Sequence, residues 1–156
     1  MTCRRRELIQ RSAAVAGMLA AAGLLPRLAF AQTGARVQAA FDAKSLDAAL
    51  KALGVGRPVE SPQVQLTAPD IAENGAVVPV AASTTLPGAK RLLFLVEKNP
   101  NTLAGWFDLG DTLEPSVATR IKMAETSPVY AVAMLGDGRV LFAQKVVKVT
   151  LGGCGG

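Results

Sequence analysis

The chain contains no histidine and only two cysteines, Cys3 and Cys154. Without an imidazole, neither a Ser-His-Asp nor a Cys-His catalytic arrangement can form, and the commonest protein metal ligand is missing. Aromatic residues make up 4% of the chain, and none is interleaved with a basic patch, so the pattern of a nucleic-acid surface is absent. The longest apolar stretch, Ala13 to Leu25, is rich in alanine and too short to span a bilayer comfortably. There is no internal repeat, and the only compositionally biased segment is the last one, Gly152-Gly153-Cys154-Gly155-Gly156.

The apolar stretch follows Arg4-Arg5-Arg6-Glu7-Leu8-Ile9, close to a twin-arginine pattern, and precedes Ala29-Phe30-Ala31, a small-x-small cleavage signature. Residues 1–31 are therefore expected to be an export signal, with Gln32 as the mature start. The competing reading, an N-terminal membrane anchor, fits the short alanine-rich run less well. Removing Arg4, Arg5, Arg6, Arg11, Arg27 and Glu7 reduces the 17 basic and 12 acidic residues to 12 and 11. The net charge of +5 belongs almost entirely to the signal, so the basic character of the full chain says nothing about nucleic acid or acidic membranes. Cys3 leaves with the signal, so Cys154 is the sole cysteine of an exported chain.

Residues 32–151 form one expected domain of a size that supports a single modest core. Gln32 to Gln38 reads as a polar, frayed lead-in. Leu46, Ala49, Leu50 and Leu53 recur at helical spacing, with Ser45 as N-cap and Gly54 as stop, which predicts one short amphipathic helix. Gly56 to Pro62 is rich in turn residues. Beyond it the pattern changes to alternation and β-branched runs: Val64–Ala68, Val77–Ala82, Arg91–Glu97, Trp106–Leu109, Val117–Met123, Val129–Leu135 and Arg139–Leu151. Pro79 cannot donate to a ladder, which predicts an edge strand or a bulge for its segment. Gly136-Asp137-Gly138 is a hairpin signal. About seven strands separated by turns every 8–12 residues predict a mostly β fold, an immunoglobulin-like antiparallel sandwich with a short N-terminal helix and a C-terminal arm.

The arm, residues 152–156, holds the one group capable of chemistry. Glycine loses the most backbone entropy on ordering and has no side chain to bury, so the tail is expected to be mobile and solvated. Four extended residues beyond Leu151 reach about 13 Å, enough to carry a sulfur atom into a narrow channel of another protein. No basic residue adjoins Cys154, and from an ordinary value near 8.5 only a few per cent of the thiol is ionised at neutral pH. A thiol that slow by itself suits a carrier activated by its partners. A prenylation box fails because the cysteine stands third from the end. A terminal Gly-Gly also occurs in ubiquitin-like sulfur carriers, but those need no cysteine beside it. The remaining candidates are weaker. Asp108, Asp111 and Glu114 match no calcium loop and read as solvated turn residues. Trp106 and Phe107 read as core, and Lys145 and Lys148 as a solvated strand face.

Several segments together resemble the SoxY sulfur-carrier family of bacterial thiosulfate oxidation. They are the twin-arginine signal, Ala68 to Gly75, Glu97-Lys98-Asn99-Pro100-Asn101-Thr102, Thr119-Arg120-Ile121-Lys122-Met123, and Val147 through the terminal Gly-Gly-Cys-Gly-Gly. The resemblance implies a periplasmic, non-enzymatic carrier exported by the twin-arginine route as a heterodimer with a SoxZ-like subunit. It implies covalent attachment of thiosulfate-derived sulfur to Cys154, with Gly152, Gly153, Gly155 and Gly156 as the swinging arm. A c-type cytochrome would join thiosulfate to the thiol, a hydrolase would release sulfate, and a molybdenum–haem sulfane dehydrogenase would oxidise the remaining sulfur. The cofactors belong to those partners, and none is implied for this chain. The alternative is a secreted interaction domain whose single cysteine forms an intersubunit disulfide.

Overall fold

The computed structural model describes residues 29–110 and 114–151. The chain divides into two units, Met1–Gly34 and Ala35–Gly156. Of the first unit only residues 29–34 are described, as the beginning of helix α1 (Ala29–Phe41). The second helix, α2 (Leu46–Ala52), has the expected start: the Ser45 side chain accepts a hydrogen bond from the Ala48 N–H at 3.2 Å. Gly54, at φ 67°, follows it in a conformation that a side chain would resist.

Nine strands are described: β1 (Val59–Glu60), β2 (Val64–Thr67), β3 (Ile71–Ala72), β4 (Val78–Thr84), β5 (Ala89–Val96), β6 (Leu103–Asp108), β7 (Ser116–Ile121), β8 (Ser127–Leu135) and β9 (Val140–Val149). One sheet runs β1-β9-β8-β5-β6, with β3 also pairing with β9; the other runs β2-β4-β7. This is the expected immunoglobulin-like sandwich. The two strands beyond the expected seven, β1 and β3, are two residues each and lie parallel to different parts of β9. Between them the chain crosses to the smaller sheet to form β2 and then returns.

The run Leu92 to Val96 is fully buried because both faces of β5 are covered. Leu92, Phe94 and Val96 point into the space between the sheets, with Val78, Val80, Ile121, Met123, Val129 and Val147. Leu93 and Leu95 face the other way and pack with Leu103, Val132 and Val140 beneath Ala40, Ala43 and Ala49 of the helical segment. Each such side chain contributes about 1.5–3 kcal/mol of hydrophobic stabilisation, and so a continuous apolar run is favoured here over simple alternation.

Two expectations require correction. Residues 32–38 belong to α1 rather than to a frayed lead-in. Tertiary burial explains the difference: Ala40 is fully buried and Phe41 half-buried against the outer core, an anchor the polar sequence upstream does not announce. The expected cleavage point after Ala31 falls inside this helix. Pro79, for its part, lies in the middle strand of the smaller sheet, not at an edge. It is tolerated because β2 pairs with β4 only as far as Thr67↔Ala81, so that at Pro79 the sole neighbour is Arg120 of β7.

Candidate functional site

Cys154 and the glycines Gly152, Gly153, Gly155 and Gly156 lie outside the described residues. What the structure does describe is the base from which they extend. Strand β9 runs antiparallel to β8 and ends at Val149, next to the parallel pairing of Ile71 with Lys148 and of Ala72 with Val149. Past the strand, the Thr150 N–H donates to the Ala72 carbonyl at 3.1 Å, and the Gly75 N–H donates to the Leu151 carbonyl at 2.7 Å. Two hydroxyls add to the clamp. Thr150 Oγ1 donates to the Glu73 carbonyl at 2.9 Å, and Thr126 Oγ1 accepts from the Val149 N–H at 3.0 Å. Every residue up to Leu151 is thus tied down, although Leu151 itself projects its side chain into solvent at 70% exposure.

The clamp rests on further bonds. Asn74 Oδ1 accepts from the Ala76 N–H at 2.8 Å, closing an Asx-type turn that aims Gly75 at the tail. The Gly75 carbonyl in turn accepts from the N–H of Met123, whose side chain is fully buried, at 2.7 Å. Asn99 brackets Met123 on both sides: its Nδ2 donates to the Lys122 carbonyl at 2.7 Å and its Oδ1 accepts from the Ala124 N–H at 2.9 Å. The segments 68–75, 97–102 and 119–123 are distant in sequence and converge beneath the base of the tail. Sequence reasoning singled them out but did not see that they touch.

The secondary candidates are largely structural. Lys145 Nζ donates to the Ala68 carbonyl at 2.6 Å and pairs with Asp70 at 3.0 Å, fastening β9 to the segment before β3. Lys148 is exposed, as expected. Asp108 accepts from Trp106 Nε1 at 2.9 Å and from Arg91 Nε at 2.6 Å, while the Arg91 guanidinium lies 4.8 Å above the Trp106 ring. Burial pushes the Asp108 carboxyl upward, but the hydrogen bonds from Trp106 and Arg91 and the Arg91 charge outweigh it and hold the group below its ordinary value. Asp111 lies outside the described residues, and Glu114 is exposed. No group of three potential metal ligands exists among the described residues. Trp106 and Phe107 are both partly buried, on opposite faces: Trp106 with the helix-side cluster, Phe107 edge-on to Phe94 with ring centres 6.1 Å apart.

The fold and the site together define an immunoglobulin-like sandwich whose last strand is clamped up to the residue preceding a glycine–cysteine tail. The model of the sulfur oxidation protein SoxY matches residues 47–154, and the chain belongs to the SoxY family. Among solved structures, it is similar to the sulfur carrier protein SoxY from Chlorobium limicola f thiosulfatophilum. The two share 37% identity at a TM-score of 0.58, over 67% of this chain and 94% of that one. A superoxide reductase (neelaredoxin) from Ignicoccus hospitalis is 18% identical at a TM-score of 0.50, over 56% of this chain and 79% of that one, a likeness of fold alone. No curated protein gives a significant match.

Proposed function

We propose that this chain is the covalent sulfur carrier of a periplasmic thiosulfate-oxidising system, reached by twin-arginine export, with Cys154 as the attachment point. The observation that carries the proposal is the family match running from residue 47 through Cys154 in a chain that has no histidine. A lone thiol with neither imidazole nor neighbouring base is poorly equipped to turn over substrate by itself, and well suited to being acted upon.

The chemistry assigns the following role to the chain. Joining thiosulfate to Cys154 forms a sulfur–sulfur bond, releases the thiol proton and removes two electrons, which a c-type cytochrome partner accepts. Hydrolysis of the resulting thiosulfonate consumes one water, releases sulfate and protons, and leaves a persulfide on Cys154. A sulfane dehydrogenase partner oxidises that remaining sulfur. Throughout, the clamp at Thr150 and Leu151 supplies a fixed pivot, and Gly152, Gly153, Gly155 and Gly156 supply a slender backbone able to enter an active-site channel. A SoxZ-like subunit completes the carrier as a heterodimer.

A Cys154→Ser variant tests the reading. Cells producing it at normal levels should lose thiosulfate oxidation. Retained oxidation would contradict the proposal.

A further inference from the structure

The clamp closes through a chemically labile step. Asn74 and Gly75 form the only Asn-Gly pair of the chain. In such a pair the backbone nitrogen of the glycine can attack the side-chain carbonyl carbon of the asparagine, and a residue without a Cβ leaves that approach unhindered. Asn74 is exposed to water, whereas Gly75 is buried. The turn itself asks only for a side-chain oxygen at position 74, which an aspartate also supplies. The asparagine thus brings a reactivity that the turn does not require.

In the closed clamp the pair is held out of reaction. The Gly75 N–H, whose proton must leave before the nitrogen can attack, donates to the Leu151 carbonyl at 2.7 Å. At the other end of the same peptide plane, the Asn74 carbonyl accepts from the Val77 N–H at 3.3 Å. Asn74 Oδ1 is held by the Ala76 N–H at 2.8 Å, and the Gly75 carbonyl by the Met123 N–H at 2.7 Å. Turning the Gly75 nitrogen onto the Asn74 side chain therefore requires release of the bond to Leu151, which is the bond that ties down the base of the tail.

We propose that Asn74 is a site of spontaneous deamidation gated by the clamp: it reacts when the Gly75–Leu151 bond opens, and its isoaspartyl product keeps the clamp from closing again. The Gly75 amide gives up its proton to hydroxide, its nitrogen bonds to Asn74 Cγ, and the side-chain nitrogen departs as ammonia, leaving a five-membered succinimide. One water then opens the ring at either carbonyl. Opening at Cγ gives aspartate on an ordinary backbone. Opening at the main-chain carbonyl gives isoaspartate, in which the chain runs through Cβ and Cγ. That link is one backbone atom longer and puts a carboxylate where the main-chain carbonyl stood, so Gly75 no longer meets Leu151 and Met123 together. The modification does not depend on what Cys154 carries, and it ages the chain by freeing the base of its tail.

Amide hydrogen exchange removes the same Gly75 proton through the same opening, and so provides the yardstick. The full nitrogen-labelled chain is incubated at mildly alkaline pH. Exchange at Gly75 is followed by NMR, and deamidation at residue 74 by peptide mapping with fragmentation that separates aspartate from isoaspartate. Thr126→Val combined with Thr150→Val removes two neighbouring bonds, each worth roughly two- to tenfold in the closed population, so both rates should rise together by on the order of tenfold. Val140→Ala, in the helix-side core away from the clamp, should leave both rates as in the parent. The isolated isoaspartyl chain should lose exchange protection at Gly75 and Thr150, whereas Asn74→Asp should keep it. Deamidation that stays constant while Gly75 exchange rises would overturn the proposal, as would equal acceleration in Val140→Ala. So would an isoaspartyl chain protected like the parent, or the absence of isoaspartate at residue 74 from the double threonine variant. None of these results bears on the sulfur chemistry of Cys154, which the experiment does not measure.

Discussion

The Gly75 N–H donates a 2.7 Å hydrogen bond to the carbonyl of Leu151, the last backbone acceptor before the glycine–cysteine tail. The bond holds the last described residue of the chain. With the Thr150–Glu73 and Thr126–Val149 bonds it ties the chain down as far as Leu151, so on the proposed carrier reading the pivot of the tail lies at Leu151 rather than several residues earlier.

The pivot has a measurable consequence for reach. Deleting Gly152 shortens the tail by about 3.3 Å and should lower kcat/KM for loading by the partner enzymes. Adding Thr126→Val and Thr150→Val removes two clamp bonds, each contributing roughly 0.5–1.5 kcal/mol, and lets the pivot retreat into β9. The combined variant should therefore load faster than the deletion alone. If the two threonines only stabilise the fold, the losses will add instead, and steady-state kinetics on the parent, the deletion, the threonine pair and the combined variant separates these outcomes.

Asn99 supports the same clamp from below through its bonds to the Lys122 carbonyl and the Ala124 N–H. Asn99→Ala leaves both backbone groups without that partner, and a loss of about 1–3 kcal/mol in urea unfolding is expected. Hydrogen exchange at Met123 and Gly75 should accelerate more than exchange in the β8–β9 hairpin. Equal acceleration everywhere would mean that Asn99 acts on global stability alone.

Tyr130 is the only tyrosine, so phenolate absorbance reports on it without interference. Burial, reinforced by the hydrogen bond its hydroxyl donates to Glu97 at 2.8 Å and by the Glu97 charge, pushes the phenol from 10.0 up to about 12. Because the folded value is the higher one, this contribution to stability is complete below pH 10 and is lost as the pH rises toward 12. In Glu97→Gln the midpoint should fall but stay above 10, since burial is the larger cause. An unchanged midpoint would remove Glu97 from the account.

Much of this architecture was legible where the signal is local. The Ser45 cap, the apolar run of β5 and the hairpin at Gly136 to Gly138 all appear where the residues place them. Strands β1 and β3 were not legible, because two residues set no periodicity and their partner, β9, lies about 80 positions further along the chain. Helix α1 was missed for a related reason: its stability comes from Ala40 and Phe41 docking on a sheet made by later residues. At the site, Cys154 stands out by elimination in any reading of the sequence. The clamp does not, because most of its bonds use backbone groups, which every residue carries, and Thr150 and Glu73 are 77 positions apart.

The central claim is that Cys154 carries thiosulfate-derived sulfur, and intact-mass analysis tests it most directly. Protein isolated from the periplasm of thiosulfate-grown cells should show persulfide and thiosulfonate mass additions, located on Cys154 by fragmentation and absent from Cys154→Ser. A single stoichiometric disulfide-linked species, with thiosulfate leaving no sulfur adduct on Cys154, would contradict the account and favour a cysteine that serves only to cross-link subunits.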